Sequence, residues 1–232
     1  MPDAYNQCHI GLELLSVAPP LCIEMTSCFV VIAGNIGVGK STLVGLLAQY
    51  LGWTPFYEPN ADNPYLADFY ADMRRWSFHS QVFFLAQRVA QHKQLLERGE
   101  PVVLDRSVYE DAEIFARNLY LRGEMSARDW QTYEGLYRTM SSLLRPPDLI
   151  VYLRASVPVL MQRIARRGRD YESRVSPSYI ESLNVLYDEW VHSFTASPVL
   201  TIETDAIDVT ARNKDRHNVI EIIQTRLDTF SG

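Results

Sequence analysis

The sequence predicts an α/β fold: a five-stranded parallel sheet flanked by helices, with a phosphate-binding loop after the first strand and an arginine-rich lid. Three observations predict it. Short apolar runs alternate with helix-spaced segments along the chain, the pattern of a parallel sheet covered on both faces. The run Gly34-Asn35-Ile36-Gly37-Val38-Gly39-Lys40-Ser41-Thr42 follows the first apolar segment directly and fits the phosphate-loop spacing in full. Arg163, Arg166, Arg167 and Arg169 crowd four guanidiniums into seven residues.

Residues 28–33, CFVVIA, read as the first buried strand. Leu43, Leu46, Leu47 and Leu51 then repeat at helix spacing, and Gly52 stops the helix. Residues 54–58 form a second strand closed by Pro59, and 64–98 are helical in pattern up to Gly99. Residues 102–104 are a third strand ending in Asp105. Helices are expected over 108–122 and 127–144, and Pro146-Pro147 is a turn. Residues 149–153 are the fourth strand and 199–202 the fifth, with helices over 157–166, 177–194 and 218–230.

With 232 residues, one domain over 26–232 is expected, preceded by a flexible tail over 1–25. That tail holds no Lys or Arg, so it lacks the charged start of a secretory signal. A composition of 47% hydrophobic and 22% charged residues is that of an ordinary globular protein. A net charge of −6 provides no overall positive field for a nucleic acid, and no apolar run approaches the ~20 residues that span a bilayer. Neither nucleic acid nor membrane is therefore an expected partner. The three cysteines, Cys8, Cys22 and Cys28, have no zinc spacing and suit a reducing compartment, so a cytoplasmic location is expected.

The loop glycines let backbone N–H groups turn inward around phosphate oxygens, and the helix N-terminus adds partial positive charge. Lys40 should reach the outer phosphates and the Ser41 hydroxyl should ligate Mg²⁺. Such loops serve switches as well as kinases. A guanine-reading Asn-Lys-x-Asp is spoiled in Asn213-Lys214-Asp215, where the aspartate arrives one position early. Asp105 also lacks the glycine three residues on that a switch needs.

Other residues favour phosphoryl transfer to a small molecule. Asp105 ends a strand, the usual place for a carboxylate serving Mg²⁺. Arg106 follows it and could stabilise charge on the moving phosphoryl group. Glu58, at the end of the second strand, is a candidate base for an acceptor hydroxyl, or else a solvated loop acid. The arginine run is a closing lid or a solvated helix end.

Together these pieces resemble the deoxyribonucleoside kinase family over about residues 28–205, on the P-loop kinase fold. The carrying residues are 34–41, Glu58-Pro59, Arg75-Trp76-Ser77-Phe78 with Gln81, Asp105-Arg106-Ser107-Val108-Tyr109, and 163–172 with Arg167-Gly168-Arg169. Asn63-Pro64-Tyr65 resembles the bacterial deoxyadenosine kinase branch. The resemblance implies transfer of the ATP γ-phosphate, with Mg²⁺, to a deoxynucleoside 5′-hydroxyl. It makes Glu58 the base and sets Arg106 against the hydroxyl and the incoming phosphoryl group. Gln81 would pair with the base edge, Tyr70 and Glu172 would hold the 3′-hydroxyl, and Arg163, Arg167 and Arg169 would be lid arginines.

The resemblance also implies that Arg88 and Asp111 form a pair at the far edge of the base, in kinases that accept adenine, guanine or cytosine; an unliganded ion pair between helices is the other reading. Phe84, one turn from Gln81, is placed to line the same pocket. The expected acceptor is a purine deoxynucleoside, with deoxycytidine open. A monophosphate kinase of the thymidylate type would need cations for its acceptor phosphate, where this chain offers Glu58. A non-catalytic nucleotide-binding subunit would need neither Glu58 nor the lid. Surplus apolar surface on the helices over 76–98 and 108–122, and the habit of the family, imply a homodimer.

Overall fold

The computed structural model describes residues 28–57, 63–169, 172, 175–209 and 212–229. The expected tail over 1–25 and Glu58 lie outside the described residues. Five parallel strands form one sheet in the order β2-β3-β1-β4-β5: β1 (Phe29–Gly34), β2 (Thr54–Phe56), β3 (Val102–Asp105), β4 (Leu149–Arg154) and β5 (Val199–Glu203). Every residue of β1 and β3 is buried, as apolar runs between two helical layers require, and the buried Asp105 at the end of β3 is the polar exception. The edge strands β2 and β5 are only partly covered.

β1 sits between β3 and β4, and the chain moves to one side of it through β2 and to the other through β4. Strand order reverses at that point, which opens a crevice beyond the carboxyl ends of the strands. The phosphate loop and Asp105 both lie at this edge, because Ile32 pairs with Asp105 in register.

Helix α1 (Lys40–Leu51) buries Leu43, Val44 and Leu47 and ends on Gly52, whose φ of 69° allows its N–H to reach Ala48 O at 3.1 Å. The span that is helical in pattern over 64–98 is α2 (Leu66–Ala71) and α3 (Met73–Leu96), with Asp72 capping α3 through Arg75 N. The helix expected over 108–122 is α4 (Val108–Glu110), a π-helical segment (Asp111–Ala116) and α5 (Arg117–Leu121). α6 (Ala127–Ser141), α7 (Val157–Arg167) and α8 (Pro177–Ser193) follow the expected spans closely.

The last helix, α9 (Asn213–Asp228), starts five residues before the expected 218. The apolar period begins only at Val219, but tertiary bonds order the polar turn ahead of it. Asp208 N donates to Asp215 Oδ2 at 2.8 Å, and Arg216 Nε donates to Val209 O. Among the described residues, no helix is long and apolar enough to cross a membrane.

Candidate active site

A cavity of about 660 Å³ opens at the carboxyl edge of the sheet. Its walls include 36–42 of the phosphate loop together with Tyr70, Gln81, Phe84 and Asp111. Arg106, Phe115, Arg163, Arg166, Arg167, Arg169 and Glu172 line the same cavity. Residues far apart in sequence thus share one space, within the size range of small-molecule sites.

Gly34, Gly37 and Gly39 all have positive φ, at 143°, 82° and 109°. At Gly34 a Cβ would stand 2.6 Å from Leu153 O, so glycine is required there by space as well as by φ. Lys40 Nζ curls back to Gly34 O at 2.9 Å and Asn35 O at 3.1 Å. Gly34 and Asn35 build the loop rather than wall the cavity. The Asn35 amide donates to Ile180 O and Asn184 Oδ1, which ties the loop to α8.

Ser41 Oγ donates to Asp105 Oδ2 at 2.5 Å, while the buried Asp105 Oδ1 has no hydrogen-bond partner among the described residues. Among those residues, no three His, Cys, Asp or Glu side chains gather into a metal cage. A hydroxyl and one underused carboxylate suit a cation such as Mg²⁺, which takes most of its ligands from phosphates and water.

Arg106 has a φ of 68°, the one positive value outside glycine among the described residues, and its guanidinium lies 4.0 Å over the Phe115 ring. An arginine in this left-handed region carries a backbone cost of roughly 1–2 kcal/mol. Neighbouring contacts must hold it there. Ser107 N donates to Glu110 Oε2 at 2.9 Å. Glu110 Oε1 accepts from Gly34 N at 3.1 Å. Tyr187 Oη stands 2.8 Å from both Glu110 Oε1 and Gly34 O, with one proton for the two of them. Burial pushes the Glu110 carboxyl up from its ordinary pKa, against the opposite pull of Arg106 and Lys40. Glu110 was not among the expected site residues. Its spacing from Ser107 is that of a capping box, which is the signal that could have found it.

Part of the cavity wall comes from α3 and the π-helical segment. Gln81 is 4% exposed, and its Oε1 has no partner among the described residues. Arg88 Nε lies 3.1 Å from Asp111 Oδ2, and Arg88 Nη1 donates to Asp105 O at 2.8 Å. Asp111 faces the cavity and Arg88 lies behind it. Asn63 donates to Ser80 Oγ and accepts from Tyr65 N, fixing the Asn-Pro-Tyr turn against α3.

The arginines expected to form a lid divide. Arg163 is occupied within the protein: it donates to Val38 O, to Thr204 Oγ1 and O, and to Ile207 O, which joins the phosphate loop to the segment after β5. Arg167 forks onto Glu172, with Nε–Oε2 at 3.1 Å and Nη2–Oε1 at 2.5 Å, and Arg169 Nη1 lies 3.6 Å from the same carboxylate. Arg166, in the expected run but given no role of its own, also lines the cavity.

Known proteins share this architecture. A family model described as deoxynucleoside kinase matches residues 30–228. The chain is 39% identical over 196 residues to a deoxyadenosine/deoxycytidine kinase of Bacillus subtilis (strain 168), covering 84% of this chain and 90% of the relative. It is 38% identical over 207 residues to a deoxyguanosine kinase of Lactobacillus johnsonii, covering 85% and 92%. Among solved structures, a deoxyadenosine kinase from M. mycoides with bound dATP superposes with a TM-score of 0.75 at 30% identity, covering 86% of this chain and 99% of that one. A match running from the first strand to the last helix, with relatives covered almost end to end, leaves one reading: the chain belongs to the deoxynucleoside kinase family and is an ATP-dependent phosphotransferase.

Proposed function

We propose that this kinase phosphorylates the 5′-hydroxyl of a purine deoxynucleoside, deoxyadenosine or deoxyguanosine, within one domain over 26–232. The observation that carries the reading is the single cavity joining the phosphate loop to Gln81 and Asp111. ATP lies along 36–42 of the loop that Gly34 and Asn35 shape, with Lys40 at its outer phosphates and Arg167 and Arg169 closing over the transferred group; Arg163 braces the loop. Ser41 and Asp105 would hold Mg²⁺, which would supply charge neutralisation on the phosphates.

Glu58 follows Tyr57, whose carbonyl is tied to α3 by Gln91 Nε2 at 2.9 Å. Glu58 takes the 5′-hydroxyl proton as that oxygen attacks phosphorus. Arg106 steadies the hydroxyl and the developing charge. Gln81 reads the base edge by donating and accepting at once. Asp111, held by Arg88, faces the far edge beside Phe84, and Tyr70 with Glu172 holds the sugar 3′-hydroxyl.

Deoxycytidine as an additional substrate is a second reading. The unpartnered Gln81 Oε1 calls for a donor, and adenine and cytosine share an exocyclic amino group beside a ring acceptor. A panel of the four deoxynucleosides with ATP and Mg²⁺ tests the preference. A purine should have the highest kcat/KM, and deoxycytidine ahead of both purines would overturn it. Glu58→Ala should abolish turnover while ATP still binds; undiminished turnover removes Glu58 as the base.

We also place the enzyme in the cytoplasm, in keeping with the free buried thiol of Cys28. A homodimer is supported by exposed Leu121 at the end of α5 and Leu136 on α6. A monomer by light scattering would refute it.

A further inference from the structure

We propose that Glu110 is a positioning residue that locks the donor half of the active site to the acceptor half through its two carboxyl oxygens. Oε1 accepts from the N–H of Gly34, the first glycine of the phosphate loop, and Oε2 accepts from the N–H of Ser107, next to Arg106. Glu110 is 0% exposed, so neither N–H has water as an alternative. The carbonyl of Gly34 receives Lys40 Nζ at 2.9 Å. One side chain thus fixes the residue on which Lys40 rests, and also the peptide that follows the strained Arg106.

The geometry explains why a carboxyl group stands here. Two backbone donors from different chain segments converge on it, and each needs an acceptor. A glutamine of equal size has one acceptor oxygen, so its NH₂ must confront one of the two N–H groups. Freed from Oε2, the turn at Ser107 no longer holds Arg106 at its φ of 68°, and the guanidinium shifts relative to the phosphate loop. A misplacement on the order of 1 Å costs about 10²-fold in rate when two reactants must be aligned. Glu110 does not line the cavity, so affinity should change little. The role rests on the kinase reading above.

The test is a cycle of Glu110→Gln and Arg106→Lys, singly and together, assayed well below each variant's melting temperature. The wild type must first phosphorylate a deoxynucleoside; its failure to do so refutes the kinase reading and says nothing against the clamp. With that established, Glu110→Gln should lower kcat about 10- to 100-fold, with KM for ATP and for the deoxynucleoside within about threefold of wild type. In the Arg106→Lys background the same change should cost less than about threefold, because the two act as one unit. Additive losses, an unchanged kcat, or a loss confined to KM would overturn the proposal. If Glu110→Gln does not fold, Glu110→Asp, which keeps two acceptors on a shorter arm, is run through the same cycle with the same criteria.

Discussion

Arg88 and Asp111 form an ion pair 3.1 Å apart whose side chains are 1% and 4% exposed. Two charges this deep attract strongly, but each has lost its water, so the pair adds little net stability. Removing one partner leaves a buried charge uncompensated. Arg88→Met should destabilise the protein by about 3–5 kcal/mol, and Arg88→Met with Asp111→Leu by much less. Urea unfolding compares them. Equal losses would show that desolvation is not the governing cost. The double variant should still bind deoxynucleosides poorly, since the polar edge of the pocket is gone.

Gly34 and Gly39 lie in the same loop and differ in what surrounds them. Both have positive φ, but a Cβ on Gly34 meets the Leu153 carbonyl at 2.6 Å, while one on Gly39 meets nothing within 4 Å. Gly39→Ala should therefore cost only backbone strain, roughly 1–2 kcal/mol. Gly34→Ala must also push β4 aside and should cost more. Unfolding without nucleotide separates the two, and equal values would argue that the clash relaxes freely.

The carboxylate of Asp105 has one oxygen on Ser41 and the other buried without a partner among the described residues. Asp105→Asn keeps an acceptor for the Ser41 hydroxyl but removes the charge a cation needs. The expectation is an increase of about 10–100-fold in the Mg²⁺ required for half-maximal rate. A titration of free Mg²⁺ at fixed ATP measures it. An unchanged midpoint would place the cation elsewhere.

The sheet, its five strands and the phosphate loop were legible because local pattern dictates them: the central strands are apolar up to their carboxyl ends, and the loop needs glycine at Gly34 and Gly37 for space and φ alike. Gln81, Phe84 and Asp111 were legible only through resemblance, since nothing in their spacing says that α3 and the π-helical segment face one cavity. That segment itself left no trace, because six residues span less than two helical turns, too few for any period to be read. Arg163 shows the opposite limit. A basic run looks uniform in sequence, yet this arginine finds four acceptors inside the protein while Arg167 and Arg169 meet a carboxylate at the cavity.

His92 ties α3 to the turn before β4 through Arg145 O at 2.8 Å and packs edge-on against Phe29. Burial lowers its pKa from the ordinary histidine value. Below about 6.5 the unfolded chain takes up a proton that the folded histidine refuses. Stability from this group is thus complete above that pH and declines as pH falls towards the folded pKa, by at most about 1.4 kcal/mol per unit. His92→Asn keeps a donor without titrating. The stability difference between wild type and variant should shrink from pH 7 to pH 5 in urea unfolding, and a constant difference would mean that His92 titrates alike in both states.

Glu172 is 5% exposed and already carries the Arg167 fork, yet it is also the expected partner of the sugar 3′-hydroxyl. A carboxylate has lone pairs enough for both, so lid closure and sugar binding would meet on one side chain. A site that hydrogen-bonds a substrate hydroxyl rejects the analogue lacking it, because its own polar group is left unpaired. The wild type should then prefer a 2′-deoxynucleoside over its 2′,3′-dideoxy analogue by at least about tenfold in kcat/KM. Glu172→Gln should narrow that ratio, since an amide replaces the charged acceptor. Arg167→Ala should lower kcat for both substrates and leave the ratio nearly intact, because the carboxylate survives. If the ratio is unmoved in Glu172→Gln, the side chain serves Arg167 alone and the 3′-hydroxyl is held by other residues.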